Sequence, residues 1–403
     1  MPLLPDPAPR VRHFPLISVD DHLIEPPDLF DGRMPAAIAD RAPRLVEDDD
    51  GAQAWVYEGN RYPNIGLNAV VGRPQDEWTM EPARFDEMRN GCWDIHARIA
   101  DMDLAGIWAS LCFPSLIAGF AGAVFSRSQD AELGLACVRA WNDWHHEVWA
   151  GTYPERIIPL QITWLRDPEI AAAEVRRNAE RGFKAVSFPE STNNLDLPSI
   201  HTDHWDPWLR ACEETGTVVC LHTGSGAVSP NRSPESPLEQ STTLFPVHGM
   251  LAAADWLWAR IPLRFPHLNV AMFEGGIGWV PMLLDRLDYV MAHSAVGGAG
   301  VWSGDVTPSE AVRRNFWFCT IDDPTTLRVR DRIGVDHIMV ESDYPHADSS
   351  WPDTQALLAR RLVGLPAADV RKLTHENAAA LFRHPLPPAG WTEPGEMLGA
   401  PPG

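Results

Sequence analysis

The sequence predicts a (β/α)8 barrel, and three observations carry that prediction. Eight short apolar runs recur along the chain, helix-period stretches separate several of them, and metal-ligand residue types gather where the runs end. The runs lie at 16–22, 107–114, 156–163, 182–188, 217–224, 268–276, 316–320 and 337–343. Continuous apolar character, rather than alternation, is what a parallel strand buried on both faces requires. Between them, DPEIAAAEVRRNAERG (167–182) and DPWLRACEETG (206–216) each open on Asp-Pro and close on glycine, the start and stop signals of helices. Strands and helices alternating in this number close into a barrel.

Four segments lie outside a minimal barrel. Residues 1–15 form an N-terminal extension, and 31–98 insert between the first two strands. Within the insertion, AWVYEGNRY (54–62) predicts a hairpin turning at Glu58, Gly59 and Asn60. The Ser/Pro/Gly-rich stretch 225–237 is expected to loop over the upper face. Residues 384–403, rich in Pro and Gly, form a C-terminal arm, leaving 16–383 as the barrel domain.

Composition narrows the function. The chain has 403 residues, 45% apolar and 22% charged, which suits a folded globular protein. A net charge of −22 without clustered Lys and Arg argues against nucleic acid or an anionic membrane surface and favours a small-molecule partner. Six cysteines without a CxxC pair read as buried thiols of a reducing compartment. The N-terminus lacks a signal-peptide pattern and no apolar run is long enough to span a bilayer, so a cytoplasmic location is expected.

Barrels of this kind gather their chemistry at the C-terminal strand ends. Those ends carry Asp20 and His22 (first strand), His222 (fifth), Glu274 (sixth) and Asp343 (eighth). Residues i and i+2 of a strand project to one side, so Asp20 and His22 can converge on one ion. Two imidazoles and two carboxylates make a site for Zn²⁺, Mn²⁺ or Fe²⁺.

The motifs VDDHLIEP (19–26), LHTGSG (221–226), FPHLNVAMFEGGIGW (265–279), ESDYPHAD (341–348) and HENAAALF (375–382) resemble the amidohydrolase superfamily. Within it they resemble the amidohydrolase-related branch, which includes aminocarboxymuconate semialdehyde decarboxylase-like enzymes. The resemblance implies a deformed barrel holding metal through Asp20, His22, His222 and Asp343, and, with the Pro-rich tail, a homodimer. Where decarboxylases of this branch carry a catalytic His after strand six, this chain has Glu274, a candidate proton carrier alongside Asp343.

An extended donor set adds Glu25, Glu274 and His346, more than one ion can use, and two irons activating O₂ would absorb the excess. The leading expectation is metal-dependent hydrolysis or non-oxidative decarboxylation of a small apolar or aromatic carbonyl or carboxylate substrate. A dinuclear iron monooxygenase and a non-catalytic ligand-binding barrel are the alternatives. His248, Trp279 and Trp351 are candidate substrate contacts, with Trp55 and Trp78 as further pocket walls. Arg61 and Arg73 in the insertion are either partners for a substrate carboxylate or ordinary salt-bridge residues.

Overall fold

All eight predicted strands form. In the computed structural model they are β1 (Ile17–Leu23), β5 (Ala109–Pro114), β6 with β7 (Ile157–Ile158 and Leu160–Gln161), β8 (Ala185–Phe188), β9 (Val218–His222), β10 (Val270–Phe273), β11 (Phe316–Thr320) and β12 (Ile338–Val340). The structure describes residues 3–79, 82–226, 233, 235–293, 302–303 and 305–391. Sheet order runs β6-β5-β1-β12-β11-β10-β9-β8-β7, every pairing parallel. Only Pro159 separates β6 from β7. Proline has no N–H to give to a ladder, so one strand is read as two pieces, and the order closes on itself as an eight-stranded barrel.

Side chains fill the barrel in two shells. Ile17, Val19, Leu111, Phe113, Ile158, Val218, Ala271, Phe273, Cys319 and Met339 pack inside, while a larger apolar cluster joins the outer strand faces to the helices. Ala378, Leu381 and Phe382 from the helix Asn377–Phe382 join the inner shell. The Pro385 carbonyl accepts from Trp108, which immediately precedes β5, so this segment plugs the end where the strands begin. The opposite end is left for chemistry.

The helices follow their terminal signals. Pro168–Glu180 starts at Asp167, whose carboxylate accepts from the N–H groups of Glu169 and Ile170. Asp206–Thr215 ends at Gly216 with φ 64°, a left-handed cap that costs glycine least. In the insertion, β3 (Gln53–Tyr57) and β4 (Asn60–Tyr62) form the expected hairpin with Glu58 and Gly59 at positive φ. The expectation omitted β2 (Arg44–Glu47), which pairs antiparallel with β3. Its Arg-Leu-Val-Glu is too short for a periodic signal. All six cysteines are free and buried. Among the described residues, no helix is long and apolar enough to cross a membrane. Of the upper loop, residues 227–232 and 234 lie outside the described residues, as do 1–2 of the extension and 392–403 of the arm.

Candidate metal centre

The aim of Asp20 and His22 depends on a defect in β1. Ser18 pairs with Ser110 and Asp21 with Cys112, so three steps along β1 match two along β5. Ile17 and Val19 point inward, and strict alternation would send Asp21 in next. The bulge reverses the phase. Asp20 and His22 enter the barrel, while Asp21 turns outward to accept from Ser110 and Ser342. Asp343 and Glu274 are aimed differently: each follows its strand at positive φ, 55° and 56°, a conformation costly for residues with a Cβ. The β12 exit is pinned to β1 by backbone bonds, Asp343 N–H to the Asp20 carbonyl at 2.9 Å and His22 N–H to the Tyr344 carbonyl at 2.6 Å.

Four donors converge at this rim. The Nε2 atoms of His22 and His222 stand 3.1 Å apart, Asp20 Oδ1 is 3.4 Å from the latter and 3.7 Å from the former, and Asp343 Oδ1 is 3.6 Å from His22 Nε2. Two donors each about 2.1 Å from a common ion, at bond angles of about 95–110°, lie about 3.1–3.4 Å apart. The imidazole pair has that spacing. His222 Nδ1 lies 2.8 Å from the Thr223 carbonyl, a contact that directs its proton there and leaves Nε2 facing the cluster. Both carboxyl oxygens of Asp20 and of Asp343 are buried without a hydrogen-bond partner. Buried unpaired carboxylates are expensive, and a cation is a group that would satisfy them; Asp20, His22 and His222 bring ligand atoms within 4.8 Å of one another, as do His22, Asp343 and His346.

A family model described as Amidohydrolase matches residues 67–384, most of the chain. The chain belongs to this amidohydrolase family. Similar solved structures agree in fold. An amidohydrolase from Mycobacterium avium subsp. paratuberculosis K-10 shares 23% identity over 92% of this chain and 99% of its own, with a TM-score of 0.72. The 5-carboxyvanillate decarboxylase of Novosphingobium aromaticivorans DSM 12444, solved with manganese and 4-hydroxy-3-methoxy-5-nitrobenzoic acid, shares 18% over 94% and 100%, TM-score 0.64. The 2,6-dihydroxybenzoate decarboxylase from Rhizobium shares 17% over 92% and 98%, TM-score 0.62.

In this amidohydrolase the electrostatics of the rim are those of a site awaiting positive charge. Burial and the neighbouring imidazoles hold His22 neutral, well below its ordinary range. Burial also works against the His222 cation, but the carboxylates of Asp20 and Glu274 overcome it and lift its pKa to about 10. A proton on Nε2 then stands where a metal ion would stand. Burial and crowding by other carboxylates raise Asp343 well above the usual carboxylate range, and burial raises Asp20. Glu274 is pushed up to about 8 by burial and by Asp348, Asp20 and Glu190, against the pull of His222.

The amidohydrolase brings some of the remaining candidates to this rim and not others. Glu274 Oε2 is 3.4 Å from His222 Nδ1, behind the ring and away from the imidazole pair. His346 stacks on His22 with ring centres 3.9 Å apart, its Nδ1 3.0 Å from Asp343 Oδ1. His248 lies 3.5 Å from Glu190, which follows β8 at the same rim. Glu25, expected as an extra ligand, stands apart from every donor group among the described residues. β1 ends at Leu23, and beyond it the chain turns so that Glu25 accepts the Leu116 N–H beneath the loop after β5.

The tryptophans expected at the pocket are corrected in the same way. Trp279 donates to the Gly275 carbonyl and packs on Phe318, bracing the Glu274 loop rather than facing the donors. Trp351 is carried off because the chain after Asp343 doubles back, Ser350 N–H meeting the Ser342 carbonyl. It packs on Tyr344 and Arg89. Trp55 is buried against Phe30, Trp78 donates to the Arg73 carbonyl, and Arg61 pairs with Asp48. The rings that do face the donors are Phe113, 4.9 Å from His222, and Phe120, stacked on His222 at 4.5 Å.

Sequence reading missed both phenylalanines, as well as Asp348, Glu190 and the buried Cys319–Glu341 pair beside Asp20. Asp348 and Glu190 carried a usable signal, each lying within a few residues of a strand end. Phe120 carried none.

Proposed function

We propose that this amidohydrolase removes CO₂ non-oxidatively, with the aid of a divalent metal, from a small aromatic or apolar carboxylic acid. Hydrolysis of a carbonyl derivative is the reading it displaces. The observation that carries the proposal is the paired imidazole nitrogens 3.1 Å apart, flanked by Asp20 and Asp343 with unpartnered oxygens. Asp20, His22, His222 and Asp343 would hold the ion, which when bound supplies a Lewis acid for a substrate carboxylate or carbonyl oxygen. The aromatic-acid decarboxylases among the structural relatives, solved in one case with manganese, support the same choice. Phe113 and Phe120 give the rim an apolar wall suited to an aromatic ring.

Glu274 moves the proton. It is mostly buried, its side chain 13% exposed, and lies beside His222 but outside the imidazole pair. When the bond from the substrate to its carboxylate breaks, the electron pair stays on carbon. The Glu274 proton then takes the place of the departing CO₂, and Glu274 is reprotonated from water. Manganese-loaded enzyme is expected to release CO₂ from at least one member of a panel of hydroxylated benzoates. Glu274→Gln is expected to lower kcat by roughly 10²–10⁴ while retaining manganese. Turnover of esters or lactones with no CO₂ from any acid would move the assignment to hydrolysis. Oxygen uptake by iron-loaded enzyme without CO₂ release would replace it with the dinuclear iron monooxygenase.

A further inference from the structure

Away from the metal centre, the N-terminal extension and the insertion enclose a cavity of about 320 Å³ against the segment that follows Asp343. Small-molecule sites run from roughly 300 to 1,000 Å³, so one ring with its substituent is the size that fits. The walls are tied together by backbone bonds, Leu4 N–H to the Gly72 carbonyl at 2.8 Å and Val70 N–H to the Pro345 carbonyl at 3.0 Å. None of the metal donors lines it, but three arginines and two tryptophans do. Two of the three guanidinium groups are taken. Arg10 donates to Asp353 at 2.6 Å, and Arg89 to Asp101 and Asp6 at 2.7 Å each. Arg73 is only 8% exposed, yet among the described residues its guanidinium makes neither an ion pair nor a hydrogen bond. Its carbonyl accepts from Trp78 Nε1 at 3.1 Å, which fixes that indole beside it. Trp351 spends its own Nε1 on the Asp101 carbonyl at 3.0 Å and so contributes an apolar ring to the wall.

We infer a binding site for a small aromatic carboxylate in this cavity, with the carboxylate on the Arg73 guanidinium and the ring against Trp78 and Trp351. A buried cation without a partner is expensive, and an anion removes that cost. One free positive charge matches a monoanion better than a phosphate dianion. The planar guanidinium meets both oxygens of a carboxylate at once, and indole faces receive an aromatic ring. The inference goes beyond the proposed function and stands without it, since no residue of this site is a metal donor or the proton carrier. Of the two arginines the sequence offers for a carboxylate, Arg61 is spent on Asp48 and Arg73 is kept free, at a place separate from the metal centre.

The probe is 4-bromobenzoate, added to full-length protein and followed by isothermal titration calorimetry and by bromine anomalous scattering from soaked crystals. Its uncharged counterpart is 4-bromobenzamide. Wild type is expected to bind the acid with bromine in the cavity beside Trp78 and Trp351, and to bind the amide at least about tenfold more weakly, the loss expected of a charge-assisted hydrogen bond. Arg73→Gln is expected to weaken the acid by a similar factor while its Tm without ligand is no lower than that of wild type, because no internal partner is lost. Should that variant fail to fold, the acid-to-amide ratio and the bromine position in wild type still decide. Bromine at the metal centre alone, equal affinity for acid and amide, or no binding at millimolar acid overturns the site and leaves the proposed function untouched. Unchanged affinity in Arg73→Gln with a lower Tm makes Arg73 a structural residue and overturns it as well.

Discussion

Glu25→Gln is expected to stabilise the protein above neutral pH and to leave metal binding intact. Glu25 is fully buried, one carboxyl oxygen has no partner, and the other accepts from Leu116 N–H at 3.4 Å. Burial raises its pKa from 4.5 to about 7. Between those two values the folded chain keeps a proton that the unfolded chain has released, so stability falls as pH rises through the window and levels off above it. A gap of roughly 2.5 units, at about 1.36 kcal/mol each, amounts to about 3 kcal/mol. Glutamine has the same shape, carries no charge at any pH and still accepts the Leu116 N–H. Urea unfolding of both proteins between pH 4 and 9, without metal, reads the difference directly. The two should agree near pH 4, and the variant should be more stable by about 3 kcal/mol at pH 8. Parallel pH profiles would refute the reasoning, and loss of Mn²⁺ binding in the variant would return Glu25 to the ligand set.

Chelation should destabilise the protein, because Asp20 and Asp343 lose the partner their buried oxygens lack; at free metal 100 times Kd the loss is about 2.7 kcal/mol, read as a lower Tm. Arg98→Met should cost roughly 3–5 kcal/mol in urea unfolding. The buried guanidinium donates to the Gly91 and His22 carbonyls, and its removal leaves those acceptors and the outward Asp21 uncompensated. Phe120→Ala should raise KM for an aromatic acid up to about tenfold with manganese affinity unchanged, since a ring contact is worth about 0.5–1.5 kcal/mol, assayed by steady-state kinetics with a metal titration.

Sequence by itself determined the barrel and which residues stand at its strand ends. Buried parallel strands need unbroken apolar runs and helices need their terminal residues, and both are local patterns. Hence Asp20, His22, His222, Glu274 and Asp343 could all be read off strand by strand. Tertiary structure alone decided where each side chain goes. A bulge in β1 chose Asp20 and His22 over Asp21 for the interior, and the turn after Leu23 separated Glu25 from a motif it shares with both. The doubling back after Asp343 carried Trp351 away while leaving His346 and Asp348 at the rim. Phe120 reaches His222 from a loop a hundred residues distant. Strand phase and loop direction depend on closing the whole sheet, and no short stretch of sequence encodes that closure.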